Sequence, residues 1–155
     1  MALRELALRL HVRAVVSSIP LLVHTLPLKT VLRLLTPPSR WQPYRRLEPG
    51  AVQAAVRRAL RNPWHMKRRR CLREGLSLFH FLRLSGRPAV LHFAIYPPPG
   101  HGARITGHCW VECEGSPISS PPDGPHVELL SCGPEGGPTL AAANARPWTE
   151  VRDGV

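Results

Sequence analysis

Residues 68–84 read RRRCLREGLSLFHFLRL, and this stretch predicts the helix around which the rest of the chain is organised. From Cys71 onward, apolar residues recur at helical spacing in two adjoining stripes, which together make a face wide enough to be buried. The stripes are Leu72, Leu76 and Phe79, beside Cys71, Gly75, Leu78 and Leu82. The opposite side carries Arg73, Glu74, Ser77 and His80. Ser85-Gly86 before Arg87-Pro88 ends the helix, because the residue before a proline is disfavoured in helical geometry.

Cys71 falls in the first turn of this predicted helix. Backbone N–H groups at a helix N-terminus carry partial positive charge, which favours a thiolate over a thiol. The arginines at 68–70 act in the same direction if they lie close in space. A single cysteine on an apolar helix face can equally be a small buried hydrophobic residue, so a catalytic interpretation requires a second residue.

The composition indicates one domain with a strongly basic first half. The chain has 155 residues and a formal charge of +11. Residues 1–75 hold 16 of the 21 Lys and Arg residues but only 3 of the 10 acidic ones. Such a charge suits an anionic partner, which could be nucleic acid, an acidic peptide or a membrane surface.

The four cysteines, Cys71, Cys109, Cys113 and Cys132, are too few and too irregularly spaced to indicate a disulfide framework. Cys109 and Cys113 lie beside His108, but no second ligand pair follows at a zinc-like spacing, so we expect no metal. Charged residues interrupt the N-terminal apolar residues, and residues 14–35 contain no clean apolar run of 18. We therefore expect a cytoplasmic protein for which peripheral membrane contact stays open.

Three regions are expected along the chain. Residues 1–46 would form basic N-terminal helices at about 2–16 and 20–35, the first burying Leu3, Leu6, Leu10 and Ala14. Residues 47–132 would form the core, beginning with a helix at 48–61 that buries Val52, Val56 and Leu60. Residues 133–155 are rich in Gly, Pro and Ala and are expected to form a poorly ordered tail.

The segment after Pro88 predicts a small antiparallel sheet. Residues 89–96 are apolar on both faces except at His92, which is typical of a central strand. Residues 105–113 and 116–119 predict a hairpin that turns at Glu114-Gly115, and 127–132 predict one more strand. The predicted fold class is α+β, with the Cys71 helix packed on this sheet.

His108 is the partner that the sequence favours for Cys71. Strand alternation places His108, Trp110 and Glu112 on one face of the hairpin strand. A cysteine at a helix start and a histidine on the sheet packed against it make a nucleophile and general base. Trp110 could shield this pair, line a substrate groove, or be an ordinary half-buried strand aromatic. His80, on the polar side of its helix, and His92, in the strand core, are weaker candidates.

A third group would orient the imidazole of His108. If Glu114-Gly115 forms a two-residue turn, His108 faces Pro121, so Ser120 is the neighbour of that position and Asp123 lies a little further on. Asp123 is the favoured third member, with Ser120 or a backbone carbonyl as the alternative. Glu112 shares the face of His108 but lies about 13 Å away along the strand.

Residues 68–96 (RRRCLREGLSLFHFLRLSGRPAVLHFAIY) and 107–118 (GHCWVECEGSPI) together resemble a known family. This family is the transglutaminase-like cysteine protease of lasso peptide biosynthesis, the C-terminal half of the B protein. The resemblance covers about Ala51 to Ile118, is weaker over the N-terminal helices, and does not extend to the tail. It implies a leader peptidase with a transglutaminase-like, papain-like core, in which Cys71 is the nucleophile and His108 the base.

The resemblance also implies partner proteins, and this sequence departs from the family pattern at one position. The family usually has Asp at the register of Ser120, which leaves the third member open. The partners would be the precursor leader peptide, a separate leader-recognition protein and the lasso cyclase, and the basic N-terminal helices would be a docking surface or a cap on the core. No cofactor is needed for this chemistry.

Two other classes of protein stay open. A non-catalytic scaffold with the same fold would explain the missing Asp at Ser120. A nucleic-acid-binding helical protein would use the basic pairs together with interleaved aromatic residues, but the sequence shows no recognised binding fold, so we expect no nucleic acid partner. A true acyl-transferring transglutaminase would use the same nucleophile, and sequence alone does not separate it from a protease.

Overall fold

The computed structural model describes residues 2–61, 70–96, 106–133 and 138–140. Four helices precede the sheet in these ranges: α1 (Ala2–Thr25), α2 (Leu28–Leu35), α3 (Pro49–Leu60) and α4 (Arg70–Leu84). The strands are β1 (Ala89–Tyr96), β2 (Thr106–Cys113), β3 (Ser116–Pro117), β4 (Val127–Cys132) and β5 (Pro138–Leu140). The α+β class is therefore confirmed. The predicted loop at 97–102 and residues 141–155 of the predicted tail lie outside the described residues.

The helix α4 lies between the other helices and the sheet. It contacts α1, α2 and α3 on one side and β1 and β2 on the other. Its last two turns are buried nearly all round, as expected from Phe81 and Leu84, which are both fully buried. Gly75 permits the close approach to the sheet, since a Cβ at this position would overlap the sulfur of Cys109. Cys71 therefore belongs to the element that joins the two layers.

His80 was expected on the polar side of α4, and this prediction is wrong. His80 is buried, and its Nδ1–H donates a hydrogen bond of 2.9 Å to the carbonyl oxygen of Leu35 at the end of α2. Burial, more than the neighbouring His11, lowers the pKa of His80. The ring thus satisfies a helix-end carbonyl in the core, which is a structural role.

The N-terminal helices differ from the prediction in length and in orientation. α1 is one helix of 24 residues that continues through Pro20, where a break was expected. Its buried residues are Leu8, Val12, Val16 and Ile19. Leu6 and Leu10, which were expected in the core, are exposed. By length and composition α1 could cross a membrane over Glu5–Thr25, although its Leu8 side packs in the core of the protein.

The helix α3 confirms the prediction for residues 48–61. It begins at Pro49, and Val52, Val56 and Leu60 are its buried residues. A proline suits the first turn of a helix because its missing N–H would have no partner within the helix there. α3 packs against both α1 and α4, which places its polar side near the N-terminal turn of α4.

The sheet has the order β3-β2-β1-β4-β5, and every pair is antiparallel. β1 is central, as predicted. Glu114 and Gly115 both have positive φ, of 54° and 77°, so the β2–β3 connection is the predicted two-residue turn, whose twist matches that of the strands. The return strand is shorter than expected and ends at Pro117. β5 pairs with β4 within the segment for which no regular structure was expected.

Candidate active site

Cys71 lies in the first turn of α4, which begins at Arg70. Its side chain is half-buried, whereas Cys109, Cys113 and Cys132 are buried. Burial, followed by the charge of the nearby Cys71 sulfur, raises the pKa of Cys109 well above that of an ordinary thiol. Burial also raises the pKa values of Cys113 and Cys132. Cys71 is thus the cysteine that has both solvent access and a helix N-terminal position.

His108 lies on β2, where it pairs with Ala94 of the central strand. Its Nε2 is 2.8 Å from the carbonyl oxygen of Ser120. A carbonyl oxygen only accepts hydrogen bonds, so Nε2 carries the hydrogen in this contact. In the neutral ring the lone pair is therefore on Nδ1, and this is the atom that can accept a proton.

The segment that presents the Ser120 carbonyl is held from two sides. The hydroxyl of the buried Ser119 accepts a hydrogen bond of 2.9 Å from the N–H of Val111 in β2. The side-chain amide of Gln53 in α3 donates to the carbonyl oxygen of Ile118. The chain after β3 is thereby fixed to both layers, which gives the acceptor of His108 a defined position.

Cys71 and His108 line the same cleft, of about 530 Å³, between the N-terminal turn of α4 and the β2–β3 edge of the sheet. We name it the cationic cleft because Arg57, Arg61 and Arg70 also line it, together with Glu74. Arg57 and Glu74 form an ion pair of 3.2 Å. The structure therefore brings together the two residues that the sequence paired, and their catalytic roles stay a prediction.

The structure places Ser120, and not Asp123, beside His108. The contact is made by the Ser120 backbone carbonyl, one of the alternatives considered above. Asp123 is exposed in the connection before β4, and it is not among the described residues that line the cleft. Glu112 points to a different histidine, with its Oε2 3.7 Å from Nε2 of His92. The orienting group at His108 is thus a neutral carbonyl.

Trp110 is 5% exposed and is not among the described residues that line the cleft, so its assignment to a substrate groove stays a prediction. Its ring lies nearly parallel to His108, with centroids 6.3 Å apart and planes 17° apart, and stacks on His92 at 4.8 Å and 11°. His126 meets it edge-on at 5.9 Å. Trp110 thus lies among three histidine rings, and its shielding of the candidate pair stays a prediction.

Sequence reasoning missed the arginines of the site. Arg57 and Arg61 reach the cleft because α3 packs beside α4, a contact between distant segments that no local pattern reveals. His92, a weaker candidate from the sequence, has its Nδ1 2.7 Å from Oε1 of Glu128, while its buried Nε2 has no hydrogen-bond partner among the described residues. Within the described ranges, no group of three or more His, Cys, Asp or Glu side chains could hold a metal ion.

Comparison with known proteins gives one finding. The model of the transglutaminase-like superfamily matches residues 13–127, which is most of the chain and includes both Cys71 and His108. No curated protein and no solved structure matches the chain.

Proposed function

Since this chain belongs to the transglutaminase-like superfamily, which includes cysteine proteases, we propose that it is a cysteine peptidase with Cys71 as nucleophile and His108 as general base. The observation that carries the proposal is the shared cleft. Cys71 comes from a helix N-terminus, His108 comes from the sheet, and the Nε2–H of His108 is held by the Ser120 carbonyl. This leaves Nδ1 as the proton acceptor.

The chemistry follows from these positions. Nδ1 of His108 takes the thiol proton, and the Cys71 thiolate attacks the scissile carbonyl carbon. N–H groups in the first turn of α4 have no acceptor within the helix and can stabilise the oxyanion. The imidazolium then gives its proton to the leaving amine as the C–N bond breaks. Water, deprotonated by His108, hydrolyses the thioester and releases the acid product.

The substrate that we propose is the precursor of a lasso peptide, from which the enzyme removes the leader. The order and spacing of the Cys71 and His108 segments support this assignment, because both match the lasso peptide family pattern described above. A separate leader-recognition protein and the lasso cyclase would be its partners. Leu6, Leu10 and Leu21 of α1 are more than half exposed and would supply apolar surface for one of these proteins.

The deciding experiment is cleavage of a synthetic leader–core peptide, with the recognition protein present, followed by mass spectrometry. We expect the wild type to cut and Cys71→Ala to lose at least about 10³-fold in rate. Cys132→Ala is the matched control, since Cys132 is buried and lies outside the cleft, and it should keep its activity once folded.

The same assay tests which group orients His108, and it tests whether the chain is a non-catalytic scaffold instead of a peptidase. Because Ser120 contributes only its backbone carbonyl, Ser120→Ala should stay within about twofold of the wild type, and Asp123→Asn should do the same. A loss of 10²-fold in Asp123→Asn would instead mean that this carboxylate reaches His108 in the complex. The neutral carbonyl at His108 favours one rival, a non-catalytic scaffold. If wild type and Cys71→Ala bind the peptide and neither cuts, the scaffold is the correct function.

A further inference from the structure

A second cleft, of about 490 Å³, also has Cys71 and His108 in its wall. Cys71, His108 and Cys109 line both this cleft and the cationic cleft. The candidate catalytic pair thus lies at the junction of two cavities. Each has a volume in the range that is typical of ligand-binding clefts in proteins.

The second cleft is apolar. Its walls come from α2, α4, β1, β2 and β4, and its apolar lining includes Leu28, Leu72, Phe93, Ile95, Leu129 and Leu130. Among the described residues that line it, none carries a carboxylate, an ammonium or a guanidinium group. Leu28 and Leu129 are 39% and 47% exposed, so this apolar surface is open to solvent and available to a substrate. We name it the apolar cleft.

The cationic cleft has the opposite character. Of the described residues, three arginines and one glutamate line it, and these four side chains carry a formal charge of +2. Glu74 is engaged by Arg57, so Arg61 and Arg70 supply the excess positive charge. A carboxylate entering this cleft is attracted, whereas an ammonium or guanidinium group is repelled.

We propose that the substrate crosses the Cys71–His108 pair as an extended peptide, with an acidic side chain on one side of the scissile bond and a large apolar side chain on the other. The proposal rests on the peptidase function and deepens it, because it names the class of peptide that the enzyme selects. Arg61 and Arg70 would select the acidic residue, and the leucine-rich walls would bury the apolar one.

The test uses short peptides that differ only at the two residues flanking one bond. One position is Asp, Asn or Lys and the other is Leu or Ala, and both orders along the chain are made. We expect kcat/KM in the better order to fall about threefold to thirtyfold from Asp to Lys, because the ion pairs are partly exposed. From Leu to Ala we expect a fall of about tenfold or more.

Two variants link these preferences to the clefts. Arg61→Glu should reverse the preference from Asp toward Lys, while Arg58→Glu is the matched control, since Arg58 is exposed on the same helix and does not line the cleft. Leu129→Gln should reduce the Leu preference several-fold. Leu34→Gln, at an exposed leucine of α2 that lines neither cleft, should leave it unchanged.

Binding to Cys71→Ala, followed by fluorescence anisotropy of the same peptides, separates this proposal from the peptidase function. If the peptides bind selectively, Arg61→Glu reverses the selectivity and the wild type cuts nothing, the peptidase function is refuted. The proposed selection of an acidic and an apolar residue by the two clefts would then stand. If the enzyme cuts all peptides at the same rate whatever the two flanking residues, the selection by the two clefts is refuted and the peptidase function stands. Binding that ignores both residues, in a chain that cuts nothing, would refute both.

Discussion

Gly75→Ala adds one methyl group at the closest contact between the helical layer and the sheet. The new Cβ would overlap the Cys109 sulfur and would lie 3.4 Å from Cδ1 of Leu91. Cys109 is 4% exposed, so its sulfur has little room to turn away. The overlap between the new Cβ and the Cys109 sulfur would therefore be relieved by a shift of α4 away from β2. Cys71 lies one turn earlier on α4, and His108 is the neighbour of Cys109, so the shift also changes the geometry of the candidate pair.

The size of the effect follows from two opposing contributions. Overpacking a core costs about 1–3 kcal/mol, whereas alanine is favoured over glycine inside a helix by about 1 kcal/mol. We expect Gly75→Ala to lower the free energy of unfolding by about 1–2 kcal/mol, because the overlap is with a confined atom. A misplacement of about 1 Å between reacting groups can cost about 10²-fold, so cleavage should fall by about 10- to 100-fold.

The assay is urea unfolding, followed by circular dichroism, with cleavage measured on the same samples. Cys109→Ala removes the overlapping sulfur, so the double variant should recover at least about 1 kcal/mol relative to the sum of the single effects. Gly50→Ala is the control, since a Cβ at Gly50 meets nothing within 4 Å. Additivity of Gly75→Ala and Cys109→Ala within about 0.5 kcal/mol would refute the reasoning.

Two further predictions concern the buried side chains of His80 and Trp110. Burial and the neighbouring His11 lower the pKa of His80 below its usual 6.5, so below that pH the unfolded state binds more protons than the folded state. The contribution of His80 to stability should thus be full above about pH 6.5 and fall as the pH drops below that value, and His80→Gln should flatten this profile in urea melts. Trp110→Leu removes the ring behind His108 and should lower kcat about tenfold with little change in KM, whereas Trp110→Phe should retain most of the activity.

Exposed residues of the same type serve as controls for these two predictions. His24→Gln, at an exposed histidine near the end of α1, should leave the pH profile of stability unchanged. Trp41→Leu, at a tryptophan that is 54% exposed, should leave kcat unchanged. A pH profile that His80→Gln does not alter, or equal kcat values for Trp110→Leu and the wild type, would contradict the assigned roles.

The parts of the fold that local interactions determine could be predicted from the sequence. Glu114-Gly115 specifies a two-residue turn, and the turn sets the register, in which Glu112 faces Pro117 as expected. The same register predicts that Ser120 lies near His108, where the structure places its carbonyl. The α3 stripe of Val52, Val56 and Leu60 was equally clear, because its other sides are more polar.

The parts that depend on distant contacts could not be predicted. α1 is apolar on two sides, so the choice between the Leu6 side and the Leu8 side depends on where α3 and α4 pack. Pro20 disfavours a helix interior by about 3 kcal/mol locally, but the buried Ile19 and the partly buried Val23 keep the helix on the core through that point. His80 looks polar in sequence because its acceptor, the Leu35 carbonyl, lies 45 residues earlier.

The candidate nucleophile and base belong to different layers, with Cys71 on α4 and His108 on β2. A peptidase built in this way is active only while its two halves are docked. A chain emerging from the ribosome, or one loosened by heat, would have a thiol and an imidazole too far apart to cooperate. The peptidase activity would thus require the contact between α4 and the sheet, and it would be lost whenever that contact opens.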